Sequence, residues 1–396
     1  MFLNSLKHKQ DKIKIKRPTS IRKTKMLFYG SPPISYGKAG FWKFVTSHDR
    51  EHPFIKVLKR SFIVETYTWT RRIRYEWCLK RVYLIDAIPL MLALVKKAMD
   101  KDIIVALGYP ALLEFMLLLF IAKLRRIPML VRETHWYWPQ TKISKFLWYL
   151  YYNLLEHVNG IICPGEASYR YWKSYGFSNV YIVHYYALES IMLECPVSRM
   201  KSIKKRLGIC DNSIIILYLG RLIKKKGVDI IISAFARLIR KKPETKAVLV
   251  IAGGGSEKKK LVELCKVLGI DNRVRFLGYV SESDKECVYR LADVFVYVPR
   301  VDVLPEEWPI APLEAMSLGI PTIVSTSVGS IPELKGGVII VGEGNIRQLE
   351  QALEKLVSND ELRKALSKKC LKIHENLVRR SVFKEFVAAL YKSLRR

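Results

Sequence analysis

Glutamine is almost missing from this chain: only Gln10, Gln140, Gln348 and Gln351 occur in 396 residues. Acidic residues are also in deficit, 36 Asp plus Glu against 68 Lys plus Arg, for a formal net charge of +32. A charge of that size bears on partners rather than on fold, and it suits an anionic surface: membrane phospholipid, lipid-linked phosphate or nucleic acid. The alternative is a lysine-rich solvated surface of the heat-adapted kind, which scarce glutamine also fits. No helix-turn-helix, zinc-finger or RNP signature accompanies the charge, so a nucleic-acid-binding protein is the weaker reading. The seven cysteines (Cys78, Cys163, Cys195, Cys210, Cys265, Cys287, Cys370) are scattered and form no Cys-x-x-Cys pair. That argues against a zinc site or a disulfide framework and for a reducing compartment. Residues Met1 to Lys25 are basic and polar and lack the apolar segment of a secretory leader, so a cytoplasmic setting is expected. The longest apolar run, Ala106 to Lys123, is broken by Pro110 and Glu114. Its clean part falls short of the roughly 20 residues a membrane span needs. It is expected to be a buried helix of an α/β domain.

What is present is a repeated alternation of apolar strand-like runs and helical segments. Lys25–Gly30, Asp102–Ala106, Pro128–Arg132, Gly160–Cys163 and Val180–Val183 read as buried strands of a first unit. Ser213–Gly220, Ala247–Ile251, Val274–Val280, Ala292–Pro299, Pro321–Val324 and Val338–Val341 read as those of a second. Such alternation implies parallel, doubly wound sheets. The chain divides into a basic arm (1–25), a Rossmann-like domain (26–195), a linker (196–212), a second Rossmann-like domain (213–379) and a C-terminal amphipathic helix (380–396). That last helix docks back on the first domain or, being basic, on a membrane. The helix from Ser144 to His157 carries a dense aromatic face (Phe146, Trp148, Tyr149, Tyr151, Tyr152), suited to packing on the sheet or to a membrane interface.

Candidate ligand residues sit where strands end, the edge at which open α/β sheets place ligands. Gly37, Lys38 and Gly40 follow the first strand and allow close approach of backbone to phosphate or sugar. His135 and Trp136 follow the strand ending at Arg132. Gly220, Arg221 and Lys226 form a cationic strand-to-helix loop, an anion trap backed by a helix dipole. Gly254 lies in a glycine run after the next strand, and Gly278 and Tyr279 end the strand after that. The stretch Pro305–Gly319 holds two carboxylates, Glu306 and Glu314, around an apolar core interrupted by Pro309 and Pro312. It reads as a loop entering a short helix closed by Gly319. Its surroundings are acidic: between Val301 and Glu350 only Lys335 and Arg347 are cationic.

These motifs, in this order, resemble the GT-B glycosyltransferases, specifically family 4 of the retaining enzymes. The resemblance runs from about Lys25 to the C-terminus. It is carried by Leu219-Gly220-Arg221-Leu222 with Lys226-Gly227, by Ile251–Gly255, by Phe276–Val280, by the Glu306 to Glu314 spacing, and by Gly329-Ser330-Ile331-Pro332-Glu333. It implies a first domain for the acceptor and a second for a nucleoside diphosphate sugar. It gives Arg221 and Lys226 the donor diphosphate, Glu306 the sugar hydroxyls, Glu314 the ribose, and His135 the donor sugar from the facing domain. Gly220, Gly254, Gly278, Tyr279 and the turn Trp308-Pro309-Ile310 would surround the donor; Gly37, Lys38, Gly40 and Trp136 would face the acceptor. No metal and no cofactor beyond the co-substrate are expected. The departures are Glu307 where the family carries glycine, Ser330 for the second glycine of its turn, and Trp136 after His135. The expected reaction is sugar transfer to a glycan or lipid-linked acceptor at the inner face of the plasma membrane. A non-catalytic sugar-nucleotide-binding protein on the same fold is the alternative.

Overall fold

A computed structural model describes residues 25–29, 34–36, 42–44, 63–67, 95–96, 98–99, 101–107, 112–135, 142–184, 195–301, 306–379, 385–386 and 388–389. The first unit contains β1 (Lys25–Tyr29), the strands β2 (Ile34–Tyr36) and β3 (Trp42–Phe44), β4 (Ile63–Tyr67), β5 (Ile103–Leu107), β6 (Met129–Arg132), β7 (Gly160–Cys163) and β8 (Val180–Ile182). The second contains β9 (Ile214–Leu219), β10 (Ala247–Ala252), β11 (Val274–Gly278), β12 (Val294–Tyr297), β13 (Thr322–Ser325) and β14 (Val338–Val341). Two six-stranded sheets result, ordered β4-β1-β5-β6-β7-β8 and β11-β10-β9-β12-β13-β14. All their pairings are parallel. Helices cover such sheets on both faces, which is why these strands are continuous apolar runs rather than alternating ones. Strands β6, β7, β10, β12 and β13 are buried along their whole length.

Strand order reverses between β1 and β5 in the first sheet and between β9 and β12 in the second. Each reversal leaves a crevice at the carboxyl ends of the strands. The second core centres on Tyr218, Phe235, Tyr289 and Phe295, all completely buried. The helix Val228–Lys241 feeds it Ile231, Phe235 and Leu238 at helical spacing, against Leu349, Leu353 and Leu356 of the helix Ile346–Ser358.

Several expectations change. The stretch 196–212, read as a linker, carries the helix Val197–Arg206. Ile203, Leu207 and Ile209 are buried in the second core, so apolar spacing outweighs the polar composition that suggested a connector. The expected absence of disulfides is corrected: Cys195 is bonded to Cys287, 92 positions away, with Cα atoms 5.2 Å apart. Arg199 forks onto Asp284 at 2.8 and 2.9 Å beside it, so the helix Val197–Arg206 is fastened to the helix Glu282–Tyr289 twice. The bond counts against the reducing compartment expected from the scattered cysteines. The apolar run forms the helix Leu112–Arg125, which buries Phe115, Leu118, Leu119, Ile121 and Ala122 but leaves Met116, Phe120 and Leu124 in solvent. It covers the sheet with one face only. In the helix Lys142–Leu155, Tyr151 enters the core, Trp148 and Tyr152 stack with Tyr175 and Phe177, and Phe146 and Tyr149 face out. After β1 the expected loop holds β2 and β3, paired antiparallel; Gly37, Lys38 and Gly40 lie between them, outside the described residues. The basic arm and most of 380–396 also lie outside. Within the latter, Phe386 and Ala389 are buried, and Glu385 accepts a 3.0 Å bond from the His184 backbone N–H.

Because the Cys195–Cys287 bond closes a long loop, its loss destabilises through the unfolded chain. Cys195→Ser, or full reduction of the parent, is expected to lower the second domain's stability by about 2–4 kcal/mol. Urea unfolding with and without reductant measures it; identical midpoints would show the bond to be energetically silent.

Candidate active site

The carboxyl edge of the second sheet is laced by backbone bonds. Gly220 N–H donates to Ala252 C=O at 3.0 Å, Leu222 N–H to Gly254 C=O at 2.9 Å, and Gly253 N–H to Gly278 C=O at 2.7 Å. The ends of β9, β10 and β11 are therefore one surface, and Gly220, Gly254 and Gly278 lie on it together. Tyr279 stands at its outer margin, 71% exposed on the edge strand.

From β9 the chain enters a 3-10 turn, Lys224–Lys226, that ends on Gly227 at φ +65°. A Cβ at Gly227 would lie 2.3 Å from the Val298 carbonyl, so the backbone of β12's extension is seated against it. The turn buries Lys226 and points it at the second half of the site. Its Nζ lies 2.6 Å from the Tyr297 hydroxyl and 2.7 Å from Glu306 Oε2; Tyr297 donates to the same oxygen at 2.9 Å. Lys225 Nζ stands 3.3 Å from Glu306 Oε1. Burial would raise the Glu306 pKa, but the charge and hydrogen bond of Lys226, with Lys225 and Tyr297, hold it at about 2. Burial and the neighbouring Glu306 charge push the Tyr297 phenol well above its usual range, so it remains a donor. Arg221, half-buried, is fixed at its backbone by the Tyr218 hydroxyl, which donates to its carbonyl at 2.9 Å. Its charge reaches Tyr297 and Lys226.

Glu306 is held by Gly329 N–H, which donates to its carbonyl at 2.8 Å. Three residues on, Pro309 caps the helix Ile310–Ser317, and Gly319 closes it at φ +71°. Glu314 is buried on that helix. Lys285 Nζ meets its Oε1 at 2.7 Å, and Tyr289 donates to Oε2 at 2.7 Å. Burial alone would lower the Lys285 pKa; the Glu314 charge and bond reverse that and raise it.

Across the cleft, the strand end after β6 supplies Glu133, Thr134 and His135. Glu133 is buried, accepts from the Tyr151 hydroxyl, and lies 2.7 Å from His135 Nδ1. His135 Nε2 is 3.3 Å from Glu307 Oε1, and Thr134 donates to Glu307 Oε2. Burial would lower the His135 pKa, but the bond and charge of Glu133 and the charge of Glu307 lift it to about 9. The imidazolium thus sits between two carboxylates, one from each domain. A second crossing lies beside it. Glu333 Oε1 accepts the Glu166 N–H at 2.6 Å, at the start of the helix Glu166–Ser174. Gly165 lies flat against Trp308: a Cβ there would fall 2.2 Å from the indole.

Lys226 and Glu306 are brought into contact with Arg221 within reach of Lys226, His135 meets Glu307 next to Glu306, and Trp308 and Pro309 lead into the helix that carries Glu314. Trp136 is outside the described residues, as are Gly37, Lys38 and Gly40. Sequence reasoning missed Glu133, Lys225, Lys285, Tyr289, Tyr297, Glu333 and the Glu307 contact. Tyr297 had a usable signal, since it ends a strand beside the switch point. Lys285 and Tyr289 had only the i, i+4 spacing that puts both on one helix face.

His135 sets a pH dependence. Its pKa in the folded protein lies above the unfolded value near 6.5, so its stabilisation is complete below that pH and is lost as pH rises through about 9. The shift corresponds to roughly 3 kcal/mol at most. Chemical denaturation between pH 6 and pH 10 should show the parent losing more stability than His135→Asn. Parallel profiles would remove the imidazolium from this network.

Residues 199–372 match the family model of glycosyl transferases group 1. An uncharacterized glycosyltransferase of Methanocaldococcus jannaschii is 37% identical over 131 residues, covering 33% of this chain and 32% of that protein. A D-inositol 3-phosphate glycosyltransferase of Corynebacterium jeikeium is 34% identical over 172 residues, 41% of this chain and 40% of its own. The matched region thus spans about a third to two fifths of these relatives. Among solved structures, Anabaena HepE in complex with UDP superposes with a TM-score of 0.66 at 17% identity, covering 93% of this chain and 99% of that one. Residues 199–372 are thus similar to the glycosyl transferases group 1 family, and the chain as a whole has the two-domain GT-B fold.

Proposed function

We propose that the protein is a retaining, metal-independent glycosyltransferase that moves a sugar from a UDP- or GDP-linked donor to a glycan or lipid-linked acceptor. The observation that carries this reading is the contact of Lys226 and Lys225 with Glu306, with Arg221 within reach of Lys226, at the switch point of the second sheet. It joins fixed cations for a diphosphate to a carboxylate for sugar hydroxyls. The solved HepE complex with UDP, on the same fold, agrees with a nucleotide-linked donor.

Lys226 has three N–H donors. Two are engaged by Tyr297 and Glu306, and the third serves a phosphoryl oxygen. With Arg221, it offsets the charge that grows on the diphosphate as its bond to the anomeric carbon breaks. The acceptor hydroxyl attacks the same face and gives its proton to a donor phosphate oxygen, so configuration is retained. Glu314, bonded to Lys285 and Tyr289, takes the ribose hydroxyls. His135 Nε2, which stands 3.3 Å from Glu307, exchanges that contact for the donor sugar from the facing domain. Among the described residues no helix is long and apolar enough to cross a membrane. The proposed contact with lipid-linked acceptors is peripheral, at an anionic inner leaflet, on the strength of the +32 net charge.

A screen of nucleotide sugars for binding and slow hydrolysis tests the proposal. Arg221→Ala should cost about 10²–10³-fold in turnover, by analogy with removal of one preorganised donor, and Glu314→Ala should raise the donor Kd. Parent-like behaviour in both variants would refute the site. Glu307→Gly should change the ranking of donor sugars more than the nucleotide preference, because Glu307 reaches His135 rather than the Arg221 loop. An unchanged ranking would leave Glu307 as a contact between domains only.

A further inference from the structure

We infer that the outer face of the helices Leu112–Arg125 and Lys142–Leu155 is a docking surface for an anionic phospholipid bilayer. This names the face for the peripheral contact proposed above and does not depend on sugar transfer. On the first helix, Met116, Phe120 and Leu124 fall at i, i+4 and i+8 and are 46, 64 and 66% exposed. On the second, Phe146 and Tyr149 are 62 and 59% exposed, with Leu150 beside them at 37%.

The two stripes are one surface. Both helices cross between neighbouring parallel strands, β5 to β6 and β6 to β7, so right-handed connections place them side by side on the same sheet face. Phe115 and Tyr151 meet beneath them, with ring centroids 5.6 Å apart. Scattered exposed apolar residues are ordinary, whereas a contiguous patch marks an interaction site.

Cations bracket the patch. Lys123, Arg125 and Arg126 are exposed at the far end of the first helix, and Lys145 is exposed near the start of the second. None of the four has a carboxylate partner among the described residues. Apolar side chains between unpaired cations suit a surface that takes hydrocarbon into its interior and holds negative charge at its boundary. A second copy of this chain fits poorly, since pairing the same face would set four unneutralised cations against four more. The location is also suitable. Both helices begin after the carboxyl ends of β5 and β6, the edge facing the cleft, so a bilayer on this face lies beside the cleft mouth.

Flotation of the full chain with vesicles of phosphatidylcholine alone, and with phosphatidylglycerol added, tests this at low and moderate salt. Binding is expected with phosphatidylglycerol and should weaken with salt. Phe120→Ser with Phe146→Ser should reduce it about tenfold or more, and Lys123→Gln or Arg126→Gln about fivefold each. Circular dichroism and nucleotide binding by the second domain report that each variant is folded, and turnover with a water-soluble acceptor reports separately on catalysis. Three outcomes would overturn the inference: no vesicle binding, binding equal in parent and face variants, or a face variant that alters only the oligomeric mass.

Discussion

A buried cation and a buried carboxylate hold the candidate site in place. Lys226 is 7% exposed and Glu306 is largely enclosed. Either charge left alone there would cost several kcal/mol, so each is tolerable only with the other. The pair is a constraint on backbone as much as on side chains. Lys226 rides on a 3-10 turn that must end in a left-handed residue against Val298, and Glu306 hangs from a segment bonded to Gly329. Two loops far apart in sequence are thereby fixed to within one hydrogen bond, with Tyr297 completing the triangle. Preorganisation of this kind is what stabilises a developing charge without rearrangement at the moment of reaction.

The acidity of Val301–Glu350 acquires a second explanation. The proposed separation of sugar-binding carboxylates from phosphate-binding cations would account for Glu306 and Glu314. Glu307 and Glu333 do something else: they reach the first domain. Glu307 meets Thr134 and His135, and Glu333 accepts the first N–H of a helix, where the dipole favours an anion. The first domain answers with a buried carboxylate of its own, Glu133, which keeps His135 protonated. The two domains are thus joined by the His135–Glu307 pair and by the Glu166 N–H bond to Glu333, with Gly165 packed against Trp308.

The fold was legible because parallel strands buried on both faces are continuous apolar runs. Every strand of the second sheet but the edge strand Val274–Gly278, which Arg275 interrupts, was marked that way, and so were five of the six in the first. Ile63–Tyr67 escaped, since Glu65 and Thr66 interrupt it, and the β2–β3 pair escaped within a stretch dominated by loop residues. The cationic loop from Arg221 to Lys226, Glu306 and Glu314 were legible through spacing. Their partners were not, because Lys285, Tyr289 and Tyr297 acquire meaning only from tertiary neighbours. The Cys195–Cys287 bond shows the same limit: no spacing rule predicts that two cysteines 92 apart will have Cα atoms 5.2 Å apart. Composition misled at 196–212, where many lysines and arginines concealed the few apolar residues that join a core.

The two domains divide the physical work unequally. In the second, nearly every large apolar residue is enclosed and the cleft edge carries paired charge. The first leaves Phe120, Leu124, Phe146 and Tyr149 in water beside unpaired cations. If the positive charge served only solubility, exposed aromatics would gain nothing from standing among it. Set beside a bilayer, the same arrangement offers hydrocarbon contact and neutralisation together, at the domain expected to receive the acceptor. A lipid-linked acceptor would then enter the cleft from its side while the soluble donor enters from the aqueous face, and neither substrate would have to leave its own phase.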